Sequence, residues 1–245
     1  MDRFESGYFW ELYRDLESQF QKFLDYVPYL EGNEDAYSFK LANLMLSIGG
    51  HVDSAFKEMA RFAEFLNNED CAKIVRLLKM SDENVKKGKA PMTVPIKLAL
   101  SAFEKEYNLS STKVLFKCLP EREEVIPFHP FNPMTAAPEW WEVYNGLKHD
   151  ISLNLRKANL KNSRNALAGA FLLNVRHTPA LLRLFDYHIM KVQVREGKNL
   201  AKVSASVRLK RGVIQKMIKE GRTIPGFVET PLFIFNYWEH TRIHE

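Results

Sequence analysis

The chain has 245 residues, of which 35 are lysine or arginine and 30 are acidic, so its formal net charge is +5. A chain of this length buries roughly 70–75% of the surface that its unfolded form exposes, which allows one large domain or a domain with an appendage. No apolar run approaches the roughly 20 residues of a membrane-spanning helix, and the polar start and the two widely spaced cysteines, Cys71 and Cys118, are untypical of secreted proteins. We therefore expect a cytoplasmic protein with no membrane partner.

The first two predicted helices have clear apolar spacing. Residues 8–30 carry an aromatic face and end at Pro28 and Gly32. Residues 37–66 show alternating steps of four and three, with apolar side chains at Leu41, Met45, Ile48, Val52, Ala55, Met59, Phe62 and Leu66. Gly49 and Gly50 lie in the middle of this helix and predict close approach of another helix or a kink. Asp53 and Lys57, one turn apart, can form an ion pair, which on a solvated surface contributes little.

The middle of the chain predicts further helices on either side of a proline-rich loop. Short helices are expected over residues 70–80 and 94–107. Closely spaced prolines then disfavour both helix and sheet between about 109 and 137, at Pro120, Pro127, Pro130 and Pro133. Helical patterns return over residues 140–150, 151–175 and 180–190.

The C-terminal part differs in charge. Between Arg183 and Arg222 there are eleven cations and three acids, a local excess of eight, so the remainder of the chain is slightly acidic. A basic helix is predicted over residues 207–220, and the apolar run 231–235 is either a short strand or a docking segment. We predict an all-α protein, with an antiparallel helical bundle at residues 1–190 and a basic extension at residues 191–245.

The stretch Trp140-Trp141 through Asp150 concentrates the chemistry of the chain. On a helix, Trp141, Asn145, Lys148 and His149 fall near one face, because residues three and four apart are neighbours. An apolar anchor would then lie beside an amide, an ammonium and an imidazole. Such a cluster can hold an anion or move a proton, or it can simply cap helices and link them together.

Two segments together resemble a known family. They are Ser47-Ile48-Gly49-Gly50-His51-Val52-Asp53 on the long helix, and Trp140-Trp141 with Tyr144-Asn145 and Lys148-His149-Asp150 before an alanine-rich helix. This arrangement resembles the HEPN (higher eukaryotes and prokaryotes nucleotide-binding) helical domains of bacteria, over roughly residues 37–173. The resemblance implies an antiparallel bundle that forms homodimers and brings two polar motifs together.

The resemblance also implies an activity, because many HEPN domains are metal-independent ribonucleases. Their motif is an arginine with an adjacent polar residue, and a histidine that follows the arginine after four to six intervening residues. Here His149 takes the place of the histidine and Asn145 that of the polar residue, but Glu142, Val143 and Tyr144 occupy the possible arginine positions. Lys148 could replace the missing cation as a point charge, without the bidentate geometry of arginine.

Two functions follow from these patterns. One is a binding or accessory protein that engages RNA, another nucleic acid or a partner protein. The other is a metal-independent endoribonuclease of the toxin or phage-defence type that uses His149, with Asn145 and Lys148 beside it. Candidate phosphate-binding residues are Arg156 and, on the basic segment with its helix-turn-helix pattern, Arg208, Lys210, Arg211 and Lys216.

Metal and cofactor sites are not predicted. His240 and His244 have the spacing of two ligands on one helical face, but no third ligand accompanies them. The chain also lacks the glycine-rich phosphate-binding and serine-hydrolase motifs. We therefore expect no metal and no cofactor.

Overall fold

The computed structural model describes residues 7–61, 69–117, 122–129, 137–196, 199–205, 209–220, 222, 224 and 226–237. Within these ranges the helices are α1 (Tyr8–Leu24), α2 (Phe39–Arg61), α3 (Glu69–Lys86), α4 (Ile96–Tyr107), α5 (Glu139–His149), α6 (Ile151–Asn154), α7 (Leu160–Arg176), α8 (Thr178–Asp186) and α9 (Arg211–Lys219). A 3-10 turn spans Leu155–Lys157. The strands are β1 (Val114–Phe116), β2 (Glu123–Val125), β3 (Lys191–Glu196), β4 (Asn199–Ser204), β5 (Phe227–Glu229) and β6 (Phe233–Asn236).

The six strands form one antiparallel sheet in the order β2-β1-β6-β5-β3-β4. The fold is therefore mixed α/β, and the prediction of an all-α helical bundle is wrong. Strands β1 and β2 have three residues each, too few to show a period, and they lie within the stretch predicted to be a proline-rich loop. Strand β1 pairs with β6, more than a hundred residues further along the chain, so the local sequence does not reveal its partner. The alternation of Val192 and Val194 with polar residues in β3 is typical of a strand, although the predicted basic extension included no strand there.

Helix α7 runs through the middle of the helical layer and contacts α1, α2, α5 and α8. Nearly all of its residues are buried, which small side chains make possible by letting neighbours approach closely. At Gly169 a Cβ atom would lie 3.2 Å from Cζ2 of Trp140 on α5. The small side chains of α7 therefore allow the neighbouring helices to pack closely against it.

Aromatic side chains join the helices to the sheet. The ring of Phe171 on α7 stacks on Phe233 of β6 at 5.6 Å between centroids, and Phe233 lies 5.5 Å from Phe116 of β1. Phe116 and Phe233 are also directly opposite in the strand register. This face of the sheet continues the helical core.

A buried carboxyl group links α1 to the turn between β5 and β6. Glu17 accepts hydrogen bonds from the Thr230 hydroxyl and from the backbone N–H of Leu232, the latter at 3.1 Å. Burial raises the pKa of Glu17, and the two hydrogen bonds oppose that rise. The first helix and the last hairpin are therefore held directly together, while the division of the chain at residue 190 remains a prediction.

Two expectations about α2 are confirmed. Its apolar spacing forms a helix from Phe39 to Arg61, and residues 62–68 lie outside the described ranges. Gly49 faces Tyr144 of α5 so closely that an added Cβ atom would overlap the ring carbons, so the glycine allows the two helices to meet.

No described helix is long and apolar enough to cross a membrane.

Candidate functional site

Helix α5 is anchored by its two tryptophans. Trp140 is 1% exposed, its indole N–H donates to the carbonyl oxygen of Pro127 at 2.6 Å, and its ring lies 5.9 Å from that of Phe128. Trp141 packs edge-on against Trp140 at 5.6 Å and against Tyr144 at 4.9 Å. The aromatic pair is part of the core and fixes where the polar end of the helix lies.

The predicted catalytic residues lie at the C-terminal end of α5. Asn145 is half-buried, whereas Lys148 and His149 are exposed. The ammonium group of Lys148 lies 5.0 Å from the centroid of the Tyr144 ring, a cation–π distance. Among the described residues, no hydrogen bond joins Asn145, Lys148 and His149 to one another. They share one surface turn without forming a preassembled network.

Asp150, the residue after His149, caps the start of α6. The Asp150 carboxylate caps α6 by accepting from the N–H of Leu153 at 3.0 Å and from the Ser152 hydroxyl at 2.6 Å. These hydrogen bonds hold the pKa of Asp150 below its usual value. Asn154 then donates to the carbonyl oxygen of Gly146 at 3.0 Å, which closes the corner between α5 and α6. In the described part of the chain, no hydrogen bond or ion pair joins His149 to Asp150, its neighbour in sequence.

Helix α2 forms the other side of this region. Asp53 and Lys57 form the predicted ion pair at 2.5 Å, with both side chains about 30% exposed. Burial, and then the nearby charge of Asp53, raise the pKa of Tyr144. Where α2 and α5 meet, the chain thus has an acid, two lysines and the buried phenol of Tyr144, whose chemistry the sequence pattern did not indicate.

The predicted phosphate-binding residues fall into two places. Arg156 is exposed on the 3-10 turn that follows α6, with exposed Lys157 after it. Lys210, Arg211 and Lys216 lie at or on α9, and Arg208 lies outside the described residues. Along the chain, α7, α8 and two strands lie between Arg156 and the cations of α9.

Helix α9 is held by one narrow face. Ile214 is fully buried, Met217 and Ile218 are half-buried, and the helix packs against α8. The rest of its surface is exposed and mostly cationic or amide-bearing, at Lys210, Arg211, Gln215, Lys216 and Lys219. This amphipathic division of one short helix is the clearest exposed basic feature that the sequence predicted.

Ion pairs hold some of these cations without burying them. Arg211 pairs with Asp186 of α8, and its side chain stays 45% exposed. Lys216 lies 3.8 Å from Glu220, a long contact, and keeps 68% exposure. Exposed pairs of this kind contribute only about 0–1 kcal/mol, so an anionic ligand can replace the carboxylates at little cost.

Two buried histidines were given no role by the sequence analysis. His51 on α2 is 2% exposed, Nδ2 of Asn174 lies 3.2 Å from its Nε2, and its ring packs edge-on against Phe9. Nδ1 of His177 lies 3.0 Å from the Tyr107 hydroxyl. Burial lowers the pKa of His51 to about 4 and that of His177 to about 3, so both are neutral in the folded protein near pH 7. They are core residues that join helices.

A metal centre finds no support in the part of the chain that the structure describes. That part contains no group of three or more histidine, cysteine or acidic side chains placed to hold an ion. His240 and His244 lie outside the described residues.

Comparison with known proteins identifies no relative: no protein family, no curated protein and no solved structure matches the chain. The likeness to HEPN domains therefore depends on the two quoted segments alone. The functional argument depends on the geometry of the two exposed polar regions, at the end of α5 and along α9.

Proposed function

We propose that the protein binds nucleic acid and that α9 is the element that contacts it. The observation that carries the proposal is the division of α9 into one small apolar face and one broad exposed face. The exposed face holds cations whose side chains are not buried, and the ion pairs of Arg211 and Lys216 leave both side chains at least 45% exposed.

The size and chemistry of α9 suit a duplex. Nine residues at 1.5 Å each make a rod about 13 Å long, and the major groove, about 12 Å wide, admits one helix. Lys216 and Lys219 project one turn apart and suit contacts with phosphates, while the amide of Gln215, one turn before Lys219, can donate to and accept from base edges. Gly212 lies near the start of the helix, and nothing lies within 4 Å of the position that a Cβ atom would take there. This end of α9 is therefore open to a close approach by the ligand backbone.

Charge favours the same interpretation. Residues 209–220 and 222 hold five cations and one acid, and all five cations are exposed. Each lysine or arginine that neutralises a phosphate releases a counterion, so the binding free energy depends on salt. A sequence-independent affinity for nucleic acid is the minimum expected from such a surface.

The proposal is tested by measuring affinity against salt. Fluorescence anisotropy with a labelled DNA duplex would compare the native chain with a Lys216→Gln/Lys219→Gln variant. We expect the slope of log affinity against log salt to fall by about 2, and the affinity to drop by about fivefold per cation at physiological salt.

The matched control is Lys79→Gln/Lys86→Gln, which removes two charges from exposed positions on another helix, α3. That control is expected to leave the slope unchanged. An equal effect of the control, or a native chain that binds no duplex at low salt, would refute α9 as the contact.

A second function is favoured by a different observation. His149 is exposed, and Asn145 and Lys148 lie within one turn of it. A metal-independent endoribonuclease of the HEPN-like, toxin or phage-defence type would use His149 for proton transfer and Lys148, in place of the missing arginine, at the phosphate. Cleavage needs both an acid and a base, and the motif supplies one imidazole per chain. This function therefore also needs a homodimer that brings two His149 side chains together. Incubation with assorted RNAs in EDTA tests it: cleavage by the native chain and none by His149→Ala supports it, and binding without cleavage rejects it.

A further inference from the structure

The connection between α1 and α2 is fastened to the start of α7. The N–H of Leu160 donates to the carbonyl oxygen of Ala36 at 3.0 Å, and that of Lys161 donates to Glu34 at 3.1 Å. Tyr37 and Asn159 form an antiparallel bridge. Because the two segments run in opposite directions there, the residues after Tyr37 lie beside those before Asn159.

Two aromatic side chains at this junction face solvent. Tyr37 is 46% exposed and Phe39, the first residue of α2, is 66% exposed. Neither ring stacks on another aromatic ring or on a cation in the described part of the chain. A single exposed aromatic residue needs no explanation, but two of them separated by one residue and bordered by cations form a distinct surface.

Four exposed cations lie in or next to the chain segments joined by the bridge. Lys40 follows Phe39, Lys161 opens α7, and Arg156 and Lys157 occupy the 3-10 turn. We call the two aromatic residues and these four cations the junction surface.

Three acids lie in the same segments. Glu31 is exposed, Glu34 accepts from the Tyr29 hydroxyl at 3.2 Å, and Asp35 accepts from the Asn159 amide at 3.1 Å. Among the described residues no ion pair joins these acids to the four cations, and four cations against three acids leave an excess of one positive charge. The surface combines positive charge with open aromatic faces.

We propose that the junction surface binds single-stranded nucleic acid, with bases stacked on Tyr37 and Phe39 and phosphates on Arg156, Lys157 and their neighbours. Exposed aromatic faces within a basic groove are how proteins hold single strands without reading sequence. A duplex cannot use these rings in the same way, because its bases are already stacked on one another and only their edges are open. This second site is independent of α9 and stands even where α9 binds nothing.

The experiment uses the full chain and three labelled probes of about twelve nucleotides: oligo(dT), oligo(U) and a DNA duplex. Phe39→Ala and Tyr37→Ala are each expected to weaken binding of the single-stranded probes by roughly 5- to 150-fold, the range for loss of one stacked base. Both variants should bind the duplex as the native chain does. Phe39→Trp restores stacking and should recover single-strand binding.

The matched control is Tyr26→Ala, which removes an 82% exposed tyrosine just after α1, outside the bridged segments. It should leave all three affinities unchanged. All the altered side chains are exposed, and circular dichroism with a thermal melt confirms that each variant is folded.

Three outcomes overturn the proposal: a native chain that binds neither single-stranded probe, unchanged single-strand affinity in both alanine variants, or an equal loss in the Tyr26→Ala control. Failure of the α9 proposal would give a different result. The Lys216→Gln/Lys219→Gln variant would then keep its duplex affinity, while the junction variants would still lose single-strand binding.

Discussion

Helices α5 and α9 both carry residues that the sequence predicted to be functional, but the fold buries much of α5 and leaves most of α9 exposed. Five of the eleven residues of α5 are buried, two of them tryptophans, whereas one of the nine residues of α9 is buried. The composition of a buried helix is constrained by its neighbours. The exposed residues of a surface helix are free of that constraint, so an unusual composition there points to a ligand.

Approximate energies express the same contrast. Each tryptophan of α5 removes about 150–250 Å² from water, which at about 25 cal/mol per Å² stabilises the fold by roughly 4–6 kcal/mol. The single buried side chain of α9, Ile214, contributes roughly 1.5–3 kcal/mol. Substitutions on the packed face of α5 should therefore act on stability, and those on the exposed face of α9 on binding.

The largest expected effect is on the anchor of α5. Trp140→Ala leaves a cavity beside Phe128 and Gly169 and removes the donor to the Pro127 carbonyl, and we expect a loss of about 3–5 kcal/mol in the free energy of unfolding. Urea unfolding followed by far-ultraviolet circular dichroism measures it. Leu153→Ala, at an 80% exposed site on α6, should change that free energy by less than about 0.5 kcal/mol. A loss at Trp140 no larger than at Leu153 would mean that the tryptophan does not anchor the helix.

Acid should destabilise the core through His51. Burial lowers its folded pKa to about 4 from 6.5, so between these values the unfolded chain binds more protons and stability falls as the pH falls. The contribution is fully present above pH 6.5, and about 3 kcal/mol of it is lost by pH 4. Glu17, whose pKa burial raises, acts in the opposite direction.

Comparison with His51→Gln isolates the effect of the histidine, because Glu17 is present in both proteins. The stability of the variant should fall less steeply than that of the native chain between pH 6.5 and 4, in urea titrations at each pH. Parallel curves for the two proteins would show that His51 does not titrate in this window.

The contact between α2 and α5 gives a smaller and more specific effect. Gly49→Ala forces a methyl group into the ring of Tyr144 and should destabilise the fold by about 1–3 kcal/mol, even though alanine favours a helix. Gly50→Ala is its matched control, because nothing lies within 4 Å of the added atom, and should stabilise the fold by up to about 1 kcal/mol. Thermal melts of the two variants should shift in opposite directions. Two shifts of the same sign would refute this close approach.

The smallest expected effect on stability comes from the ion pair beneath α9. Asp186→Asn removes the carboxylate that pairs with Arg211, and we expect the free energy of unfolding to change by no more than about 1 kcal/mol. Duplex affinity should rise, because Arg211 loses its competing partner. Asp15→Asn, the same change at an exposed site on α1, has no ion pair with Arg211 and should leave affinity unchanged. Equal affinities for the two variants would remove Arg211 from the contact.

The helices could be predicted well because their signals are local. The apolar spacing from Leu41 to Met59 produced α2 within two residues of its predicted start, and the basic segment produced α9 inside the predicted 207–220 range. The pairing of Asp53 with Lys57 and the close approach at Gly49 also followed from spacing on a helix. At the candidate site, the chemical roles of Asn145, Lys148 and His149 stay predictions. The sequence left open whether this stretch caps helices, and the structure shows Asp150 capping α6 and Trp140 packed in the core.

The amino-acid sequence by itself determined where the long helices run and where the positive charge is concentrated, because a helix is specified by residues three and four apart. Only the tertiary structure decided that Val114–Phe116 and Phe233–Asn236 become neighbouring strands, because their hydrogen bonds join segments far apart in the chain. It also decided which polar residues face water. Burial depends on what packs against a residue, and for Glu17, His51 and Tyr37 the packing partner comes from a distant part of the chain.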